Sequence, residues 1–168
     1  MECTDKDTAT GHPAPWCAQK ALERLSSACA RAEQCEADLR RKMREHGVPP
    51  ADASQVMDYL RKHRFVDDTR YACAFARDKV RFNGWGRIKV AMMLRTKHID
   101  EETIKAALCA VEPEVYSEVL SKLVKAESRR LVLDRYADRL KLTRKLYARG
   151  FEPELIKEAI YTLTNSGE

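Results

Sequence analysis

Aromatic residues make up only 7% of the 168-residue chain, too few for the aromatic-studded groove with which OB-type proteins hold single strands. Glycine and proline are scarce, six of each, as expected where helices dominate. No apolar run approaches the roughly 20 residues needed to span a bilayer. The opening MECTDKDTATGHPAPW lacks the basic start and apolar stretch of a signal peptide. A cytoplasmic protein without membrane association is therefore expected. Six cysteines are present (Cys3, Cys17, Cys29, Cys35, Cys73, Cys109), but none form a Cys-x-x-Cys pair, and His12, His46, His63 and His98 are scattered. Reduced thiols are expected, with no zinc and no other cofactor. A phosphate-cradling glycine loop, a Gly-x-Ser-x-Gly elbow and a His-x-x-x-His pair are all missing. The chain is read as a non-enzyme.

What is there is a pattern used three times, about every 51 residues. Leu39, Met43 and Val48 line up with Val90, Leu94 and Ile99, and again with Leu142, Leu146 and Phe151. Each copy has two apolar residues one turn apart, a basic cluster, a turn residue (Gly47, His98, Gly150) and a closing apolar residue. A second amphipathic stretch follows each copy, carrying Val56 and Leu60, Ile104 and Leu108, or Ile156 and Ile160. Repetition at this period marks units that bury their apolar faces against one another in a solenoid-like array. The reading is all-α: about nine helices in three tandem three-helix repeats, over 16–66, 67–114 and 115–168, after a disordered tail at 1–15.

Several local signals fix the helix limits. A helix is expected from near Pro15, a second over Ala32–Glu45 ended by Gly47, and a third capped by Asp52 or Ser54. Asp67 and Asp68 are read as helix caps rather than as a metal or catalytic pair. Tyr71 and Phe75, with Ala72 and Ala76, form the predicted buried stripe of the next helix. Asn83-Gly84-Trp85-Gly86 is a turn, and Asp100 caps the helix after Ile99. A long amphipathic helix carries Tyr116, Leu120 and Val124.

The net charge of +5 is unevenly placed. Arg77 to Lys97 carries +6, Arg129 to Arg149 carries +6, and His98 to Glu127 between them carries −4. Such segregation creates local fields that the total hides. Candidate partner-binding cations are Arg40, Arg41 and Lys42 in the first repeat, and Arg77, Lys79, Arg87 and Lys89 in the second. Arg139, Arg144, Lys145 and Arg149 are their counterparts in the third. The first cluster has Glu36, Asp38 and Glu45 close by and reads equally well as a solvated face of i, i+4 pairs. Trp85 either covers a small core or anchors a partner. Arg87 opens a helix where a cation opposes the dipole, which marks it as a functional candidate.

In "FVDDTRYACAFARDK" followed by "NGWGRIKVAMMLRTKHI" the chain resembles the bacterial RecX family, regulatory proteins that act on the RecA recombinase. The resemblance rests on Phe65, Val66, Asp67, Asp68, Tyr71, Ala72, Phe75, Arg77, Gly84, Arg87, Ile88, Leu94, Lys97 and Ile99. "CARAEQCEADLRRKMREHG" and "KLYARGFEPELIKEAI", the latter with Gly150 and Phe151, extend it over roughly residues 18–163. Gly84, Gly86, Gly150 and Phe151 thus count with Asp67, Asp68, Tyr71 and Phe75 as structural positions. His98 departs from the family by standing where glycine is usual, which asks histidine for a left-handed backbone. The resemblance implies a curved, elongated molecule lying in the groove of the RecA–DNA filament. It also implies a modulator, mainly an inhibitor, of RecA ATPase and strand exchange in recombination, DNA repair and the SOS response. A monomer is expected, with RecA and single- or double-stranded DNA as candidate partners. Direct DNA binding through phosphate contacts is the alternative, since three-helix units resemble helix-turn-helix modules.

Overall fold

The structure is a computed structural model that describes residues 15–133 and 135–165. The expected tail, with Cys3 and His12, lies outside the described residues except for an exposed Pro15. Among the described residues there are nine helices and no strand. They are α1 (Ala18–Arg31), α2 (Glu36–Glu45), α3 (Pro50–Lys62), α4 (Asp68–Arg81), α5 (Arg87–Thr96), α6 (Glu101–Cys109), α7 (Pro113–Ser128), α8 (Tyr136–Ala148) and α9 (Pro153–Asn165). The chain divides into two compact units, Met1–Tyr71 and Ala72–Glu168, with the boundary falling within α4.

The repeated sequence pattern is one physical device, a Schellman cap that closes the middle helix of each triplet. At the end of α2, Gly47 takes φ +67°, its N–H reaches Arg44 O at 3.0 Å, and Val48 N–H reaches Met43 O at 3.0 Å. α5 ends the same way through His98 at φ +58°, with His98 N–H to Arg95 O at 2.9 Å and Ile99 N–H to Leu94 O at 3.3 Å. α8 ends through Gly150 at φ +86°, with Gly150 N–H to Tyr147 O at 2.8 Å and Phe151 N–H to Leu146 O at 3.3 Å. The bond pair satisfies orphan carbonyls, and the motif joins the apolar residue after the turn to the one opening the last helical turn. Those residues are Val48 with Met43, Ile99 with Leu94, and Phe151 with Leu146, all buried. His98 therefore adopts the left-handed backbone that glycine would take without steric cost.

In the first unit, Ala21 and Leu25 of α1, Leu39 and Met43 of α2, and Val56, Met57 and Leu60 of α3 build one core, joined by Val48 and Val66. Complete burial of each large aliphatic contributes roughly 1.5–3 kcal/mol. The second unit buries Ala72, Ala76 and Val80 of α4, Val90 and Leu94 of α5, and Ile104 and Ala107 of α6. It also buries Tyr116, Leu120 and Val124 of α7, Leu142 and Leu146 of α8, Phe151, and Ile156 and Ile160 of α9, along with Ala91, Ile99 and Val111.

Two glycines join the second and third triplets. Gly86 N–H donates to Arg149 O at 2.8 Å, and Ile88 N–H donates to Gly150 O at 3.0 Å. The backbones are so close that a Cβ on Gly86 would stand 2.0 Å from Gly150 O. A Cβ on Gly150 would stand 2.4 Å from the Lys89 amide.

Several sequence expectations are corrected. α1 starts at Ala18 rather than near Pro15, and α2 starts at Glu36 rather than Ala32. The second shift arises because α1 runs to Arg31 and an extended turn must follow before the chain reverses. Neither Asp52 nor Ser54 caps α3. Pro50 occupies its first turn behind Pro49, a place that suits a residue with no N–H to leave unsatisfied, and Ser54 Oγ instead donates to Pro50 O. The buried stripe of α4 is Ala72, Ala76 and Val80, while Tyr71 and Phe75 are half-buried at its flank.

Candidate partner-binding surface

The aspartate pair performs two different caps. Asp67 Oδ1 accepts the N–H groups of Thr69 at 2.9 Å and Arg70 at 3.0 Å, capping its own helix α4. Asp68 Oδ1 accepts the Glu36 N–H at 3.0 Å and so caps α2, 32 residues earlier in the chain. Burial raises the Asp68 carboxyl above its ordinary value, partly offset by that backbone bond. Both carboxylates have structural work. Around them, Arg61 pairs with Glu36, and Arg70 meets Glu33 at 2.9 Å.

The first-repeat cations are largely spent on local pairing. Arg41 contacts Asp38 at 3.3 Å and Glu45 at 2.9 Å, Arg40 approaches Glu36 at 4.0 Å, and Lys42 donates to Gln34 Oε1 at 3.0 Å. This matches a solvated, ion-paired helix face.

Around the turn between α4 and α5, Trp85 is half-buried and meets Phe75 edge-on, with ring centroids 6.3 Å apart. The Lys79 ammonium stands 5.3 Å from both rings, and the Lys89 ammonium stands 4.5 Å from the indole. Two cations on one indole fix the ring and hold positive charge beside it. Arg77 is exposed, and no carboxylate pairs with it among the described residues. Arg81, one turn further along α4, approaches Glu112 at 3.5 Å.

Arg87 is built into a clasp. Its N–H donates to Tyr116 Oη at 3.0 Å, and Tyr116 O–H donates to Glu152 Oε2 at 2.6 Å. Its guanidinium lies 4.2 Å from the Tyr116 ring centroid and 3.7 Å from Glu152 Oε1. The cation at the start of α5 is thus balanced by Glu152 and an aromatic face from the next triplet. Burial, then the bond to Glu152, push the Tyr116 phenol upward.

In the third repeat, Glu127 gathers Lys145 and Arg149 at 3.8 Å, and Arg149 also reaches Asn83 O at 3.4 Å. Lys141 pairs with Asp138 at 2.9 Å. Arg139 and Arg144 are exposed on α8, and no carboxylate pairs with either among the described residues. Beside them Arg129, Arg130, Lys141 and Lys145 surround an open concavity of about 440 Å³ that also includes Glu127.

Several apolar groups on the same helices are exposed, and sequence reasoning passed over the two tyrosines among them. Ile88 and Met92 on α5 are 46% and 53% exposed, and Tyr136 and Tyr147 on α8 are 73% and 57% exposed. Their spacing was the available signal, because it sets them off the buried stripe of each helix. No disulfide joins the five described cysteines. No cluster of three or more metal-ligating side chains occurs among the described residues, and no helix there is long and apolar enough to cross a membrane.

Tandem helical units with repeated C-terminal caps and a cationic outer surface define a helical repeat protein. Residues 67–108 match the family model described as RecX, second three-helix domain. The regulatory protein RecX of Xanthomonas axonopodis pv. citri (strain 306) is 30% identical over 141 residues, which span 84% of this chain and 86% of that one. RecX of Clostridium botulinum (strain Alaska E43 / Type E3) is 26% identical over 149 residues, 87% of this chain and 69% of that one. A crystal structure of regulatory protein RecX superposes with a TM-score of 0.73 at 25% identity, covering 83% of this chain and 70% of that one. RecX from Lactobacillus salivarius shares the fold, with a TM-score of 0.76 at 19% identity over 88% of this chain and 96% of that one. The chain belongs to the RecX family of regulatory proteins.

Proposed function

We propose that the protein binds the RecA–DNA filament and lowers RecA ATPase and strand-exchange activity, as its family resemblance implies, without chemistry of its own. The observation that carries this reading is the set of exposed cations left over after internal pairing: Arg77, Arg139 and Arg144 lack carboxylate partners among the described residues. Lys79, Lys89 and Trp85 add a fixed aromatic–cation patch. Arg87, Lys145 and Arg149 support the same surface by holding its helices together, as their internal ion pairs suggest.

Direct DNA binding is the second reading, favoured by the basic concavity around Arg129, Arg130, Lys141 and Lys145. Affinity for a RecA-coated oligonucleotide and for the bare oligonucleotide, measured across salt concentrations, separates the two. The first reading expects tighter binding to the coated strand with a shallow salt slope. Equal binding to both, falling steeply with salt, supports phosphate contacts alone.

A further inference from the structure

We propose that the outer face of α8 is a protein-docking face, anchored by the rings of Tyr136 and Tyr147 and fitted to an apolar groove with an acidic rim. This rests on the reading that the partner is a protein assembly. At 100° per residue, Tyr136, Leu140, Thr143 and Tyr147 form one line along the helix, with Arg139 and Arg144 on its two sides. Leu142 and Leu146, turned roughly 90–130° away from that line, are fully buried. The helix is therefore already held by its own unit, with Leu140 and Thr143 half-buried and the two tyrosines at the ends of the line exposed. Both rings are more than half exposed, although exposed aromatics give up the burial that normally stabilises them.

The composition and charge identify the occupant. Tyrosine and arginine are the residues enriched where binding energy concentrates at protein interfaces. Apolar anchors repeating along one helix face are how a helix enters a groove. Arg139 and Arg144, unpaired with any carboxylate among the described residues, call for acidic groups at the rim of that groove. A single nucleic acid strand fits less well: the surface is the convex side of a helix, and the two tyrosines lie about 16 Å apart along it, too far to stack successive bases.

The neighbouring triplet also exposes apolar groups on its middle helix, although Gly84 and Arg95 stand where α8 has its two tyrosines. Ile88 and Met92 occupy the positions on α5 that Leu140 and Arg144 occupy on α8, and both are exposed. The bond from Ile88 N–H to Gly150 O places the start of α5 at the turn that ends α8. In the first triplet the matching positions are Ala37 and an Arg41 tied to Asp38 and Glu45, so that triplet presents no such anchor.

The test compares wild type, Y136A/Y147A and Y136F/Y147F for affinity to RecA filaments on single-stranded DNA and to the bare oligonucleotide. Circular dichroism confirms that each variant is folded. The alanine variant is expected to lose roughly tenfold or more in filament affinity, the scale of truncated interface anchors. The phenylalanine variant should keep most of it, and bare-oligonucleotide binding should not change. Wild-type filament affinity in the alanine variant overturns the docking face while leaving the proposed function standing. A parallel loss on bare oligonucleotide also overturns it, in favour of base stacking. A wild-type protein that does not bind the filament removes the functional reading and this inference together.

Discussion

Replacing Gly86 by alanine tests how the second and third triplets are joined. The new Cβ would lie 2.0 Å from Gly150 O, 2.1 Å from its carbonyl carbon and 2.2 Å from Phe151 N, all backbone atoms with no rotamer to retreat into. Ordinary carbon contacts begin near 3.5 Å, so the start of α5 and the α8–α9 turn must separate by about 1–1.5 Å. Three bonds cross that seam: Gly86 N–H to Arg149 O, Ile88 N–H to Gly150 O, and Arg87 N–H to Tyr116 Oη. At about 1 kcal/mol net for each, and with the packing of the fully buried Phe151 disturbed, the expected loss is about 3–5 kcal/mol. That is a large share of a typical stability of about 5–15 kcal/mol. Urea unfolding followed by far-UV ellipticity reads it. Gly47→Ala is the control, since it has the same left-handed requirement as the other caps, but the nearest neighbour of its Cβ is a proline carbon at 3.4 Å. It should cost only about 1–2 kcal/mol. Equal losses from the two substitutions, or less than about 1 kcal/mol from Gly86→Ala, would refute the account of a backbone-to-backbone seam.

Three further outcomes are expected. His98→Gly should raise stability by about 0.5–1 kcal/mol, since it relieves a left-handed histidine at φ +58° at some entropic cost; a lower melting temperature would contradict the strain. Asp68→Ala should cost about 1 kcal/mol through loss of the α2 cap, while Asp68→Asn keeps an acceptor oxygen for the Glu36 amide. Because folding raises the Asp68 pKa, its contribution is fullest below the unfolded carboxylate value and declines as pH rises through the folded one. Wild type should therefore lose ground to Asp68→Asn over that acidic window in pH-dependent melts, and a gain instead would reverse the sign. Arg139→Glu with Arg144→Glu should leave the melting temperature within a few degrees and weaken filament binding at least roughly tenfold, with unchanged binding counting against the α8 cations.

Legibility in the sequence followed the distance over which each feature is decided. The Schellman caps at Gly47, His98 and Gly150 were readable because turn residue, preceding apolar pair and closing apolar residue lie within about ten positions. The Asp100 cap was readable for the same reason, with its carboxylate accepting Thr103 N–H at 2.8 Å. The start of α2 was not, because its cap comes from Asp68 in another helix. Arg87 looked misplaced against the helix dipole only until Tyr116 and Glu152 were brought to it. The charge summed over Arg129 to Arg149 likewise could not register Glu127 of α7, which pairs with Lys145 and Arg149. Tyr136 and Tyr147 carried a readable spacing that charge-centred reasoning ignored.

The most direct test of the regulatory account is the single-stranded-DNA-dependent ATPase of RecA, titrated with this protein at substoichiometric amounts and physiological salt. The account predicts dose-dependent suppression, relieved by Arg139→Glu with Arg144→Glu. Unchanged ATPase alongside tight, salt-sensitive binding to bare DNA would contradict it.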